Sequence, residues 1–526
     1  MERLNSAAVR ALADRLVSLP SVSPDPNGET ACAKAVREAL PPGLATGTWP
    51  TADGRPVVWA LLGGRSSRTV VMLGHYDTVG VVEYAVLGAP GAERVAFDCE
   101  ALRRHLLGLE PGRLPGQSSR LADDLNDERH APGTWMFGRG SLDMKSGLAA
   151  GLAALGALAT DGEELPGSVL FIACPDEEHQ SAGMRAAVEN LPALSEREGL
   201  ELLGVLNLDY GEEPVAYAGV VGKLLAGVWV LGEPTHVSEP FRGADAAQLV
   251  AEVVRRITSS RELVDRTDRL GVPAVALRLR DLKTGYDVQT AIEAVAEFNL
   301  LTVARPLAET LEALRAATAM ALADVARSMG ELKTWLGASG AASPVGPVLT
   351  YTELLARAGR SAADDPLESG GGMVPSAVAR DAREATLERV RRLARETGLV
   401  GPAAVVYLLP PYYPPAGPGT GVLIEGARRV LARHEMELRP FYPYISDASY
   451  VAWRSEPPEL VARHLPALGR EYQLPVRAMR ALDLDVANLG PWGRDAHGRF
   501  ERVHAPYAFG VLPGLLVEVL GEALRS

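Results

Sequence analysis

In the stretch FIACPDEEHQSAG, Phe171–Gly183, an apolar run ends on three consecutive carboxylates, Asp176, Glu177 and Glu178. A surface turn tolerates such crowding because water screens the charges. A bound cation tolerates it by supplying the opposing charge. Four other places offer related chemistry. GHYDTVG sets His75 and Asp77 two apart, which at the end of a strand points both to one side. FGRGSLDMKSGLAAG puts Asp143 between a Gly-rich turn and a helix, NLDYGEEP closes a strand on Asp209, and GPWGRDAHGRFERVH carries His497 in a Gly-rich loop. Taken singly, these read as a structural His–Asp pair, a helix cap, a surface turn and a loop histidine. Together, two imidazoles and several carboxylates form a ligand set for Zn²⁺, or less specifically Co²⁺ or Mn²⁺. Cys32, Cys99 and Cys174 are widely separated and lack the paired spacing of disulfide frameworks or thiolate zinc sites, so His and carboxylates must carry any metal.

The elements around these residues alternate. PVVWALLGG, TVVMLGHYDTVG, GSVLFIACPDEE and LLGVLNLDYGEEP read as strands, and SGLAAGLAALGALA as a helix. That alternation predicts an α/β layer structure with a mostly parallel sheet, whose ligands sit at the carboxyl ends of the strands. From about Gly222 the order becomes β-α-β-β-α-β, the ferredoxin-like order. A Gly/Ser/Ala-rich stretch at about 338–376 interrupts it before its last strand and reads as a flexible insertion. The expected organisation is a catalytic domain over 1–221, an inserted α+β lid over 222–415, and the rest of the catalytic domain over 416–526, without internal repeats. At 526 residues two domains are the natural expectation. The formal charge of −13 argues against nucleic acid or an anionic membrane as the main partner. Charged residues interrupt the N-terminal apolar pattern, so it reads as an amphipathic helix rather than a signal segment, and a cytoplasmic protein is expected.

The ordered motifs closely resemble those of the ArgE/DapE/aminoacylase-type di-zinc metallopeptidase family, which is M20-like. They are G-H-x-D at Gly74–Asp77, G-R-G-x-x-D-M-K at Gly138–Lys145, D-E-E at Asp176–Glu178, the strand-end Asp209, S-D-A at Ser446–Ala448 and H-x-x-x-E-R-V at His497–Val503. The resemblance implies a zinc-peptidase-like catalytic domain carrying two Zn²⁺. His75, Asp143 and Asp209 would hold one ion, and Asp143, Glu178 and His497 the other, with Asp143 bridging. It further implies that Asp77 fixes the His75 tautomer, that Glu177 is the general base, and that His236, in the lid turn GEPTHVSEP, is the oxyanion donor. His179 and His504 match no position of this pattern. VGKLL, DLKTGYDVQTA, PPYYPP and NLGPWGRDAHGRFERV are similar to a branch linked to arginine utilisation.

These features lead to an expected zinc-assisted hydrolysis of a small amino-acid amide, an N-acyl amino acid or a dipeptide, tied to arginine catabolism. Deacylation or amidine-type hydrolysis of a non-peptide arginine-pathway compound is an alternative within the same site. A metal-dependent regulatory protein without turnover is an alternative of another class, disfavoured by the intact Glu177. The resemblance also implies a homodimer formed through the lids.

Overall fold

The computed structural model describes residues 5–87, 91–109, 119–160, 165–267, 270–337, 345–361 and 381–526. The chain forms two compact units, the first from Met1–Val220, Ala416–Ala452 and Arg477–Ser526, the second from Val221–Pro415 and Trp453–Val476.

The first unit is built on an eight-stranded mixed sheet. Its order is Ala45–Pro50, Pro56–Leu62, Ser168–Cys174, Arg68–His75, Glu201–Asn207, Val486–Asn488, Ala216–Tyr217 and Leu438–Arg439. The central strands Ser168–Cys174, Arg68–His75, Glu201–Asn207 and Val486–Asn488 run parallel to their neighbours within this group, and antiparallel pairing enters on either side of it. Ser168–Cys174 and most of Arg68–His75 are buried along their length, which explains why both read as continuous apolar runs rather than alternating ones. His75, Pro175 and Leu208 mark the carboxyl ends of three adjacent parallel strands, so the residues that follow converge on one edge of the sheet.

The helix Lys145–Thr160 explains how Asp143 joins that edge. It is buried over most of its surface, and its glycines let it approach the strand end closely. A Cβ on Gly147 would lie 2.2 Å from the Leu208 carbonyl oxygen, and one on Gly151 would lie 2.5 Å from Leu208 Cδ1. The start of the helix is thereby drawn against the segment that carries Asp209. Lys145, in its first turn, is fully buried and donates through Nζ to the Leu19 carbonyl at 2.7 Å. The N-terminal amphipathic helix, Ser6–Val17, buries Val9, Ala13, Leu16 and Val17. The apolar stretch Pro506–Arg525 is long enough to span a bilayer by length and composition, but most of it is buried in this unit, where it packs on the helices Lys145–Thr160 and Val422–Arg433.

In the second unit the elements run β-α-β-β-α-β through Gly222–Leu231, Ala246–Thr258, Val275–Asp281, Glu293–Thr302, Leu307–Trp335 and Ala403–Tyr413. The sheet order is Val348–Thr350, Ala403–Tyr413, Gly222–Leu231, Glu293–Thr302 and Val275–Asp281. Two expectations need correction. Of the stretch at about 338–376, residues 345–361 form structure: Val348–Thr350 adds a strand parallel to Ala403–Tyr413, and a capping box of Thr350 and Glu353 starts the helix Tyr351–Arg357, which buries Tyr351, Leu354 and Leu355. The remainder, 338–344 and 362–376, lies outside the described residues. Trp453–Val476, expected in the returning part of the catalytic domain, belongs to the second unit. There Glu456 accepts the Leu307 N–H at 2.6 Å, Glu471 pairs with Arg389 at 2.8 Å, and the Tyr472 hydroxyl accepts the Tyr412 N–H at 3.1 Å.

Gly147→Ala tests the close approach. In an open helix this change is stabilising by about 1 kcal/mol. Here the methyl group meets a backbone carbonyl, so the expected outcome is a loss of about 1–3 kcal/mol, as for overpacking. Chemical denaturation of the two proteins reads the sign.

Candidate metal and hydrolytic site

The convergence at the sheet edge brings five of the expected residues into two groups that share one carboxylate. His75, Asp143 and Asp209 form the first, and Asp143, Glu178 and His497 the second; in each, one ligand atom per residue lies within 4.8 Å of the others. His75 Nε2 is 3.1 Å from Asp143 Oδ1, while His497 Nε2 is 3.0 Å from Asp143 Oδ2 and 3.1 Å from Glu178 Oε2. The two oxygens of Asp143 thus face different imidazoles. Glu177 belongs to neither group.

These residues fit divalent ions. Both ring nitrogens of His75 and Oε1 of Glu178 are buried without a hydrogen-bond partner among the described residues, although carboxylates stand close by. Nitrogen and carboxylate ligands around one zinc each lie about 2.0–2.2 Å from it, and the observed separations are compatible with that. The electrostatics agree. Burial pushes Glu177 well above the carboxylate range, and burial together with the neighbouring Asp143 charge pushes Asp209 up to about 8. Burial disfavours a charge on either imidazole as well. The adjacent carboxylates outweigh that, raising His75 through Asp143 and Asp77 and His497 through Asp143 and Glu178. Without ions, therefore, protons bound to the histidines balance the cluster. His497 is half exposed at the rim, where water screens its pairs, whereas His75 is enclosed.

A layer of contacts behind the cluster holds it. Asp77, fully buried, accepts the N–H groups of Glu177 and Glu178, each at 3.1 Å, and sets Oδ1 3.4 Å from His75 Nδ1. One carboxylate therefore governs the pose of an imidazole and the backbone of two glutamates. On the other side, Glu501 Oε1 accepts the N–H groups of Leu142 and Asp143 at 3.0 and 3.2 Å, and its Oε2 accepts from Arg139 at 2.6 Å. Arg139 also donates to the His497 carbonyl at 3.1 Å and pairs with Glu83. The buried Arg139–Glu501 pair so joins the loop of Asp143 to the loop of His497. Both residues stand in motifs legible in the sequence, but nothing in their spacing reveals that they meet. Asp447 of the S-D-A motif is a second residue of this kind: it is buried, and burial pushes its carboxyl up to about 7.

The remaining expected residue, His236, and the two histidines that match no position of the pattern, His179 and His504, belong to neither group. His236 belongs to the second unit, is exposed, and accepts the Ser238 N–H at its Nδ1 at 3.1 Å. His179 lies with Nδ1 3.5 Å from Asp176, and His504 stacks on Trp492 with ring centroids 4.5 Å apart; neither enters either group.

Comparison with known proteins places the chain in a family. Residues 122–462, well over half of the chain, match the profile of peptidase family M20/M25/M40. The uncharacterized protein YqjN of Bacillus subtilis (strain 168) is 29% identical over 500 residues, covering 91% of this chain and 88% of that protein. Protein RocB of the same organism is 28% identical over 497 residues, covering 88% and 83% respectively. A tripeptidase structure from Staphylococcus aureus subsp. aureus Mu50 superposes with a TM-score of 0.54 at 13% identity, covering 99% of this chain and all of that one, which speaks for the fold alone. With its motifs in order and its acidic and imidazole groups gathered at one sheet edge, the chain belongs to the M20/M25/M40 peptidase family and is a hydrolase of peptide or amide bonds.

Proposed function

We propose that the protein is a zinc-dependent hydrolase that cleaves an amide bond in a small amino-acid derivative or dipeptide and serves arginine catabolism. The observation that carries this reading is the pair of ligand groups sharing Asp143, with Glu177 beside them and outside both. His75, Asp143 and Asp209 would hold one ion, and Asp143, Glu178 and His497 the other. Two imidazoles with carboxylates and no thiolate suit Zn²⁺ and also accommodate Co²⁺ or Mn²⁺. Bound at these positions, the ions would supply Lewis acidity toward the scissile carbonyl and lower the pKa of a water.

The chain's own residues do the rest. Glu177, as the carboxylate, takes a proton from the attacking water and delivers it to the leaving nitrogen; the burial that raises it above the ordinary carboxylate range makes it a stronger base for that first transfer. Asp77 keeps the His75 ring in place and so acts as a positioning residue. His236 is the donor to the developing oxyanion: with Nδ1 accepting from Ser238, its proton resides on Nε2, free to donate. A homodimer through the second unit accompanies this assignment. Support comes from the edge strand Val275–Asp281, which leaves Val275, Leu277 and Leu279 about half exposed, 46–52%. The arginine link rests on the branch-specific segments of the sequence.

A metal-loaded screen of N-acyl amino acids and dipeptides, scored for released amine, tests the activity; a uniformly negative screen with intact metal sites counts against it. Glu177→Gln should lower turnover roughly 10²–10⁴-fold while metal content stays at the wild-type value. Elemental analysis showing a lost equivalent would instead make Glu177 a ligand.

Zinc titration of the apo-protein should saturate at two equivalents, with Asp143→Ala impairing both and His75→Ala or His497→Ala mainly one. Binding at neutral pH should release protons, because the ion-free site holds them on His75, His497 and Asp209. Calorimetry in buffers of different ionisation enthalpy measures that release.

Finally, Glu177→Gln chains refolded together with His236→Ala chains should regain activity if His236 acts across a dimer. Proven mixed dimers without activity would exclude donation in trans.

A further inference from the structure

The turn that presents Glu177 and Glu178 is gripped at Asp176 by a buried ionic hub. Asp176, which opens the turn, has a positive φ of 70° and is 1% exposed. Its carbonyl accepts the Ser181 N–H at 2.7 Å, and its Oδ2 accepts the Ala182 N–H at 3.0 Å, closing the turn on itself. Its Oδ1 accepts Arg55 Nη1 at 2.6 Å and the Ser23 hydroxyl at 3.1 Å. The same Nη1 donates to Glu29, at 3.0 and 2.8 Å, and Arg55 Nε donates to Asp53, at 3.0 and 2.9 Å. Glu29 Oε1 in turn accepts the backbone N–H of Asp176 at 2.9 Å. Arg55 and Glu29 are 3% and 0% exposed, so water screens these contacts little.

The hub is tied to the other support of the turn. Ser21 donates its hydroxyl to the Tyr76 carbonyl at 2.6 Å, and the Ser23 and Thr78 N–H groups bond to the carbonyls of Thr78 and Ser21, each at 2.9 Å. The segment Ser21–Glu29 therefore braces both the loop that carries Asp77 and the turn that begins at Asp176. Asp77 holds the turn through the N–H groups of Glu177 and Glu178, and Arg55 through the carboxylate of Asp176.

We infer that Arg55 is a positioning residue for hydrolysis: its guanidinium, with Nη1 shared between Asp176 and Glu29 and Nε held by Asp53, sets where Glu177 and Glu178 stand relative to His75 and His497. The inference rests on the roles proposed above for those two glutamates. A guanidinium meets three carboxylates in fixed directions, whereas the lysine ammonium is a compact point charge on a flexible stem. Burial pushes the Glu29 carboxyl up to about 8, so near neutrality Asp176 is the fuller countercharge, in keeping with its shorter bond.

The experiment compares wild type, Arg55→Met, Arg55→Lys and Glu177→Gln. It uses stepwise Zn²⁺ titration of the apo-proteins, thermal unfolding, and kcat and KM on the substrate found by the amine-release screen. Arg55→Met should weaken one Zn²⁺ equivalent, the one that includes Glu178, roughly 10–100-fold and leave the other nearly unchanged. It should lower kcat roughly 10–100-fold, as for a small displacement of the base, with KM little altered. Arg55→Lys should fall between Met and wild type.

A folded Arg55→Met protein with both equivalents and kcat at wild-type levels would overturn the inference. So would a uniform loss of both equivalents and of thermal stability without recovery in Arg55→Lys, the mark of a purely structural role. If Arg55→Met does not fold, Arg55→Lys decides: selective weakening of one equivalent supports positioning by the guanidinium, and wild-type behaviour overturns it. Glu177→Gln separates the two layers, since full turnover in that variant would refute the role of Glu177 whatever Arg55 does to zinc binding.

Discussion

Like charges buried together at a strand edge repel one another strongly, and the first unit is organised around that constraint. Asp77, Asp143, Glu178, Asp209 and Asp447 all turn inward around the carboxyl ends of the parallel strands, with Glu177 among them. In a medium of low effective dielectric such a group persists only with opposing charge close by. In the ion-free protein the two imidazoles supply it, and both consequently hold their protons tightly. Divalent ions would replace those protons with more charge at the same positions. The unpartnered Nε2 of His75 then has a simple explanation: it is placed for a ligand bond, while Nδ1 faces Asp77.

Holding the cluster against its own repulsion takes a second layer, which is also ionic. Asp77 fastens the backbone of Glu177 and Glu178, the Arg139–Glu501 pair fastens the loops of Asp143 and His497, and Arg55 with Glu29 fastens Asp176. Each contact joins segments that are distant in the chain, with Glu501 reaching a loop 359 residues away. The side chains of Asp77, Arg139, Glu501, Arg55 and Glu29 are buried, so removing one partner strands the other in a medium that cannot solvate it. Rigidity of the site thus comes from paired charge, while the sheet and the helix Lys145–Thr160 supply the close approach through the glycines that face Leu208.

The individual elements were largely legible in the sequence. Apolar runs with β-branched residues marked the strands Pro56–Leu62, Arg68–His75, Ser168–Cys174 and Glu201–Asn207, because buried parallel strands need apolar side chains on both faces. The β-α-β-β-α-β order of the second unit was legible for a similar reason, since its helices carry apolar residues at helical spacing on one side. The segment Trp453–Val476 was not, because its attachment to the second unit depends on single contacts, such as Glu456 to the Leu307 N–H, that leave no periodic trace. The strand and helix within residues 345–361 were hidden by a flanking composition of small and polar residues that resembles a linker.

By itself the sequence determined which residues could do chemistry. Imidazoles and carboxylates closing apolar runs, with no paired thiolates, already limited the metal chemistry, and the motif order pointed to a family of hydrolases. Tertiary structure decided the rest. That Asp143 turns one oxygen to His75 and the other to His497, that Asp77 serves an imidazole and two backbone amides at once, and that Arg55 pairs with Asp176 are consequences of chain segments meeting in space. Spacing along a chain constrains only neighbours within an element. The partners of a buried charge are set by which strand ends and loops share an edge, and that is decided when the sheet is assembled.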